Sequence, residues 1–411
     1  MLRRKVWPYV KYYIRHLPDW AYWRLGRVAL ARPAISSSPA TQLHVVFVTF
    51  HATAREFKLA YAALLCGHRV TLIAKHARPS NMAAHQFDAP YEADNPWRML
   101  TLLDRLRPDV THLFAHMDNA RILPVMLYAP SPVVYDPYDC LQGMIKPENQ
   151  YSRLELEAER TCFARADHIC ARSLEPLYLR RHFGYRMPAT TYFPEYCWHP
   201  PQQRKARQVH NDEELHIVYC GGVWPEDRFP SATHGYAQYL EVGRALGKQR
   251  IHLHLYPAQV PNVVHFDEFF SLYLEESKQN PFLHIHHSLP YEELMSELPK
   301  YDAALHVAGV TVNKGLGRVT RAKLDYSSAN KLFDYIEAGL PVIIHDGKHQ
   351  RGIVRHYGAS VEISDISQAR EALFSTRNTM QSPKSSAAMA KHAERLGRMY
   401  QSVVKPCESS S

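Results

Sequence analysis

Hydrophobic and polar positions along the chain form two successive series of short apolar runs separated by amphipathic stretches. Leu43–Thr49 is a near-continuous apolar run, the pattern of a strand buried on both faces of a parallel sheet. Ala54–Cys66 follows, with Phe57, Leu59, Tyr61, Leu64 and Leu65 at helical spacing, and Gly67 stands where a helix ends in a left-handed residue. The alternation continues through a strand at Arg69–Ala74, a helix around Trp97–Arg107 and a strand at Val110–Ala115. Then come a helix at Asn119–Tyr128, a strand at Val133–Tyr135, a charged helix at Tyr151–Arg165, a strand at His168–Ala171 and a helix from Ser173. Strands alternating with helices predict a parallel sheet covered on both faces.

Residues 198–214 are polar, aperiodic and contain Pro200-Pro201, and they read as a linker. The alternation restarts at Leu215–Cys220, followed by Gly221-Gly222, a helix near 232–246, and strands at 251–255, 283–286, 302–307 and 341–344. The expected architecture is α/β: two doubly wound, Rossmann-like parallel-sheet domains in tandem, facing each other across a cleft at the carboxyl ends of their strands. The boundaries read as an extension at 1–40, a first domain at 41–200, a linker at 201–213 and a second domain at 214–382. A closing segment at 383–411 carries a helix, Ala387–Val404, expected to pack back on the first domain.

Composition narrows the class. With 46% apolar and 22% charged residues, the chain is a globular protein rather than a fibrous or disordered one. Its apolar runs are of strand length and no secretory apolar region follows the basic start, so no transmembrane helix or secretory leader is expected. Seven cysteines in no metal or redox spacing suggest thiols of a reducing compartment, and a cytoplasmic location.

The net charge of +9 is concentrated at one end. Residues 1–34 hold eight Lys/Arg (Arg3, Arg4, Lys5, Lys11, Arg15, Arg24, Arg27, Arg32) against one acid, Asp19, and the body is close to neutral. That distribution argues against nucleic-acid binding, which spreads cations over a groove. Trp7, Tyr9, Tyr12, Tyr13, Trp20, Tyr22 and Trp23 are interleaved with these cations, a mixture suited to an anionic membrane surface at the inner face of the plasma membrane. The histidines of Ile251–Leu255 and Leu283–His287 fall on alternate positions. They read as one strand face carrying solvent-facing or hydrogen-bonded rings, not as a metal site.

The segment Ser327–Ile344 carries the most chemistry. It reads as a loop, a short helix capped by Ser328 and ended by Gly339, and a buried strand opened by Pro341. Lys331 and Asp334 share one face near the positive end of that helix, a seat for phosphate with a carboxylate one turn on to accept from sugar hydroxyls.

Asn330-Lys-Leu-Phe-Asp-Tyr-Ile-Glu-Ala-Gly-Leu-Pro-Val-Ile343 resembles the donor-site signature of nucleotide-sugar glycosyltransferases of the two-domain GT-B fold, notably family 4 (P/N-K-L-x-E-Y-M-A-x-G-x-P-V-I). Lys331 matches the motif lysine, Asp334 stands at the glutamate that contacts ribose, and Tyr326 replaces a second glutamate found in many members. Val218-Tyr-Cys-Gly-Gly-Val223 resembles the strand and turn that open the donor domain, with Gly222 at an arginine position and Arg228 near an expected lysine. In the first domain Arg107–Asp118 resembles the family's P-D-V-x-H-x-H strand end, which implies that His116 meets the transferred sugar or the acceptor. Asp118, with Asp136 and Asp139 as rivals, is the candidate acceptor base if the enzyme inverts. The loop Thr49–Arg55 takes the place of a Gly-rich acceptor loop, which implies acceptor contacts from His51 and Arg55. Pro194-Glu195 stands where the family has Pro-Asn.

The resemblance implies a glycosyltransferase that moves a sugar from a nucleotide-diphosphate donor to an acceptor hydroxyl with retention, without metal or other cofactor. Gly221, Gly222, Arg228, Asn330, Lys331 and Asp334 would bind the donor, and a saccharide or lipid-linked molecule would be the acceptor, in cell-surface polysaccharide or glycolipid synthesis. A nucleotide-sugar epimerase or hydrolase, and a non-catalytic relative that binds a nucleotide sugar, are the alternatives.

Overall fold

β1 (His44–Thr49) is buried along its whole length, as are β4 (Val110–Ala115), β5 (Val133–Pro137) and β6 (His168–Ala171), in keeping with their unbroken apolar runs. In the computed structural model they belong to a seven-stranded sheet with β2 (Arg69–Ala74), β3 (Pro90–Glu92) and β7 (Thr190–Tyr192). The structure describes residues 2–29, 42–75, 87–88, 90–146, 151–202, 214–258, 265–307, 316–377 and 382–404. The order β3-β2-β1-β4-β5-β6-β7 is parallel throughout, and it reverses direction between β1 and β4.

A second parallel sheet has the order β10-β9-β8-β11-β12-β13 and reverses between β8 and β11. Its strands are β8 (Leu215–Gly221), β9 (Ile251–Pro257), β10 (Leu283–Ile285), β11 (Ala303–His306), β12 (Val342–Ile344) and β13 (Ser360–Glu362). In such sheets ligands bind beyond the carboxyl ends of the strands where the order reverses. One face packs into a core of Ile217, Leu253, Leu255, Val242, Tyr273 and Leu305.

The chain divides into two compact units. The first comprises Met1–Gly143, Pro147–Glu195 and Met389–Ser411; the second comprises Met144–Lys146 and Tyr196–Ala388. In the first unit the helix Ala393–Val404 packs on the helix Ala54–Leu65 and on β4, where the Tyr400 hydroxyl meets His112 Nδ1 at 2.7 Å. Most of the 201–213 linker segment lies outside the described residues.

Several elements differ from the sequence expectation. The stretch 232–246 is not one helix: Ser231–His234 and Leu240–Gly247 are separated because Gln238 is extended (φ −112°, ψ 128°). The closing helix starts at Ala393 rather than at 387. Ser328 caps no helix, since Asn330 holds the cap position before the helix Lys331–Glu337 and the Ser328 hydroxyl lacks a described partner.

The N-terminal arm folds as two helices, Leu2–Arg15 and Leu17–Ala29. Its described aromatic residues are largely turned inward, not outward. Trp23 is buried against Trp97 and Tyr128 with its Nε1–H on Asp104 Oδ2 (3.0 Å), and Tyr13 donates to the Ala120 carbonyl. Residues 30–41 lie outside the described residues. Among the described residues no helix is long and apolar enough to cross a membrane. The six described cysteines are all free thiols.

Candidate functional site

In the second unit β8 ends in Gly221-Gly222 and β11 ends in His306, at the point where strand order reverses. A cavity of about 270 Å³ opens there, lined by Tyr219, Gly222, Trp224, Tyr236, His306 and Lys331 together with the start of the helix Lys348–His356. Lys331 occupies the first turn of its helix, and Gly339 (φ 74°) ends that helix one residue beyond the cap. The Lys331 ammonium donates to the Tyr219 hydroxyl at 2.7 Å and lies 4.0 Å from the centre of the Tyr219 ring. The Tyr219 hydroxyl in turn donates to the Gly222 carbonyl at 3.0 Å. The backbone at this turn calls for glycine. Gly221 has φ 139°, and a Cβ there would stand 2.6 Å from Lys331 Nζ.

The opposite wall is neutral. His306 pairs through Nε2 with the Gln350 side-chain oxygen Oε1, and the Gln350 amide donates to Ser327 Oγ at 2.9 Å. Burial, reinforced by the Lys331 charge, lowers the His306 pKa to about 3, so the ring is uncharged. Asp346 also lines the cavity, but Arg321 neutralises it at 2.7 Å. The arrangement offers the Lys331 cation beside aromatic rings, a set that accepts an anionic group attached to a planar one.

The structure brings Gly222 and Lys331 to this cavity, with Gly221 against the lysine. It does not bring Arg228 there: the guanidinium donates to the Glu268 carbonyl (2.7 Å) and lies 5.5 Å from the Phe269 ring centre. Asn330 and Asp334 are not among the cavity-lining residues either, and Asp334 accepts from the Tyr291 hydroxyl at 3.1 Å.

In the first unit the reversal point lies at the ends of β1 and β4, and His116 follows β4 directly. Its Nε2 lies 2.8 Å from Glu56 Oε1, and its ring packs against that of Tyr138, tilted by 34° with centres 4.3 Å apart. Glu56 is fully buried because its other oxygen accepts from the Thr53 backbone and hydroxyl (2.8 and 2.7 Å) in the capping box of the helix Ala54–Leu65. Burial works against a charged His116, but the Glu56 carboxylate outweighs it and raises the pKa. Met117 adopts φ 65°, and in this turn Asp118 Oδ1 reaches back to the His116 N–H at 2.9 Å. Burial raises the Asp118 pKa, with His116 pulling the other way. His51 is exposed beside them.

Two residues expected on the acceptor side are structural. Arg55 and Asp136 are fully buried and grip each other through Nε–Oδ1 (2.9 Å) and Nη2–Oδ2 (2.7 Å), so neither is presented to an acceptor. Burial favours a neutral Asp136 carboxyl, yet Arg55 overrides it and holds the pKa at about 2. Asp139 is part-buried and pairs with Arg172 at 2.8 Å. Glu195 lies between Arg55 and Arg172, at 3.6 and 3.4 Å, which gives the departure from Pro-Asn a structural reason. His112, Asp136 and Cys170 have the mutual spacing of metal ligands, but Arg55 already supplies the positive charge at Asp136.

No protein-family model matches the chain, and no curated protein does. Solved structures match across most of its length. The Anabaena protein HepE in complex with UDP-glucose aligns at 11% identity over 88% of this chain and 96% of that one, with a TM-score of 0.53. Sucrose-phosphate synthase from Thermosynechococcus elongatus aligns at 11% identity over 88% and 94%, with a TM-score of 0.55. A glycosyltransferase from Rickettsia africae aligns at 8% identity over 89% and 100%, with a TM-score of 0.54. The chain has the GT-B fold. Within this GT-B chain, the residues that sequence reasoning missed are Glu56, Tyr138, Trp224, His306 and Gln350. Only Glu56 carries a local signal, the Thr53-x-x-Glu56 capping box.

Proposed function

We propose that the protein is a glycosyltransferase whose second unit binds a nucleotide-diphosphate sugar. The observation that carries this reading is Lys331 held against the Gly221-Gly222 turn, in an aromatic cavity at the strand-order reversal. Lys331 neutralises the diphosphate and so stabilises the leaving nucleotide, in the role that a metal fills elsewhere. Tyr219, Trp224 and Tyr236 provide flat faces for the base or sugar. On the first unit, His116 and Asp118 are the side chains assigned to the chemistry, with His51 and Asp139 on the acceptor side. HepE, which shares the fold, has been solved with UDP-glucose bound. Retention at the anomeric carbon, a saccharide or lipid-linked acceptor in polysaccharide or glycolipid synthesis, a cytoplasmic location and association with an anionic membrane complete the proposal.

The test is thermal stability against a panel of nucleoside diphosphates, with wild type and Lys331→Ala side by side. A ligand at 100 times its dissociation constant adds about 2.7 kcal/mol. The expected outcome is a shift with one nucleotide that the variant loses. No shift with any nucleotide overturns the donor site. A shift retained in the variant removes the diphosphate from Lys331. Product analysis with the identified donor then separates transfer from epimerisation or hydrolysis, and anomeric NMR reads the stereochemistry.

A further inference from the structure

The N-terminal arm is a built part of the first unit with one face left over. Helical hydrogen bonding runs through the junction of its two helices: His16 N–H donates to the Tyr12 carbonyl (3.2 Å), and Trp20 N–H to the His16 carbonyl (3.1 Å). The inward side is well bound. Besides Tyr13 and Trp23, the Tyr12 hydroxyl donates to the Asp94 carbonyl at 3.4 Å, and Arg121 lies 5.4 Å from the Tyr12 ring centre.

The outward side carries large apolar residues in the open. Ile14 is 63% exposed, Leu17 58%, Trp20 40% and Val10 37%. At roughly 100° per residue, Val10, Ile14 and Leu17 fall within an arc of about 60°, and Trp20 lies about 60° beyond Leu17. Lys11 and Arg15, both exposed, flank this ridge on one side, and exposed Arg24 flanks it on the other. The arm's single acid does not face outward with them. Asp19 is held by Arg98 and Asn95, each at 3.2 Å.

An apolar ridge bordered by cations, with its one carboxylate turned away, complements a surface that is apolar beneath and anionic on top. We propose that this ridge docks the protein on an anionic lipid bilayer. Ile14 and Leu17 enter the headgroup–acyl boundary, Trp20 lies at headgroup level, and Lys11, Arg15 and Arg24 meet lipid phosphates. The residues assigned to the membrane are thus the aliphatic ones that the fold leaves exposed, while Tyr12, Tyr13 and Trp23 fasten the arm to the body. The inference rests on the membrane association proposed above and specifies its contact, but not on the donor site, since vesicle binding and nucleotide binding are read in separate assays.

The experiment is co-sedimentation of the full chain with phosphatidylcholine vesicles, with and without phosphatidylglycerol. Wild type is expected to pellet with the anionic vesicles only, and less so as salt is raised. Ile14→Glu/Leu17→Glu is expected to lower the partition coefficient roughly tenfold or more. Lys11→Glu/Arg15→Glu is expected to lower it as well. Ile14→Glu/Leu17→Glu replaces exposed side chains, so its melting temperature should match wild type. Slower amide exchange over residues 10–21 of the wild type with anionic vesicles is an independent readout that needs no variant. Wild type left in the supernatant, equal binding to neutral vesicles, or unchanged binding of Ile14→Glu/Leu17→Glu overturns the proposal. So does self-association of wild type without lipid that the glutamate variant abolishes, because the ridge is then covered by a second copy of the chain.

Discussion

At the residue scale, the two adjacent glycines after β8 are not equivalent. Gly221 combines φ 139° with a space already claimed by the Lys331 ammonium, whereas the nearest atom to a Cβ on Gly222 would be Trp224 Nε1 at 3.5 Å. Gly221→Ala is expected to cost about 1–3 kcal/mol of stability in backbone strain, displace Lys331 and abolish the nucleoside-diphosphate shift. Gly222→Ala should leave the melting temperature close to wild type. Melting curves of the two variants, with and without nucleotide, decide the point. Arg55 and Asp136 pose the same kind of question, a site residue against a structural one. Asp136→Asn leaves the buried Arg55 with only the more distant Glu195 carboxylate at 3.6 Å, so it should cost up to about 3–5 kcal/mol in urea unfolding. Replacing both, as Arg55→Met/Asp136→Leu, should cost less than either single change if the pair is structural, because the one buried carboxylate that loses Arg55, Glu195, keeps Arg172 at 3.4 Å. The folded Asp136 pKa, about 2, lies below its unfolded value of about 3.9. This pair therefore contributes stability above about pH 4 and loses it as pH falls toward 2.

At the element scale, the alternating histidines of β9 and β10 show what a strand pattern specifies and what it leaves open. Period-2 spacing correctly put His252 and His254 on one face, but not what covers them. They form a ladder with β8. His216 Nδ1 meets His254 Nε2, His254 Nδ1 meets His286 Nε2, and His252 Nδ1 meets His284 Nε2, each at 2.9 Å. Glu214, itself paired with Arg250, closes one end on His252 at 2.7 Å. At the other end Tyr256 stacks on His286 and bonds Tyr301, with the Glu297 charge also acting on His286. A ring nitrogen that accepts cannot also carry a proton, so the three-ring chain holds at most one extra proton without losing a bond. Burial and the neighbouring rings push the His254 pKa down, and burial lowers that of His286. The unfolded chain takes up these protons below about pH 6.5 while the folded one refuses them, so stability falls as pH drops through that value. His254→Gln, neutral and able both to donate and to accept, should flatten the slope between pH 7 and 5 by up to about 1.4 kcal/mol per pH unit. An unchanged slope in denaturant titrations would show that the ladder is already opened in the folded protein. Elements also mark where pattern reading stops. β3 (Pro-Tyr-Glu), β7 (Thr-Thr-Tyr) and β13 (Ser-Val-Glu) carry no apolar run or alternation that marks them out, and are strands because their neighbours pair with them. The long β-α alternation was legible because parallel strands buried on both faces leave unbroken apolar runs.

At the scale of the whole molecule, each sheet carries its own reversal point, and residues distant in sequence meet at both. Lys331 and the Gly221-Gly222 turn could be read from the chain because a cation and a close backbone approach each restrict residue type. His306, Gln350 and Trp224 could not, because only the ends of separate strands and helices bring them together. The same logic explains why Arg228 was legible as a cation but not as a partner of Phe269. A division into two units also makes the donor assignment testable without turnover. If the nucleoside diphosphate sits in the cavity at Lys331, saturating ligand stabilises the second unit first, by about 2.7 kcal/mol at 100 times the dissociation constant. Local opening there is then suppressed by the same free energy. Hydrogen exchange should slow in β8, in the segment 222–239 and in the helix Lys331–Glu337, with β1, β4 and the helix Ala54–Leu65 least affected. Protection confined to the segments around His51, His116 and Asp118 would instead move the nucleotide to the first unit, leaving Lys331 as a cation that merely braces Tyr219 and the turn behind it.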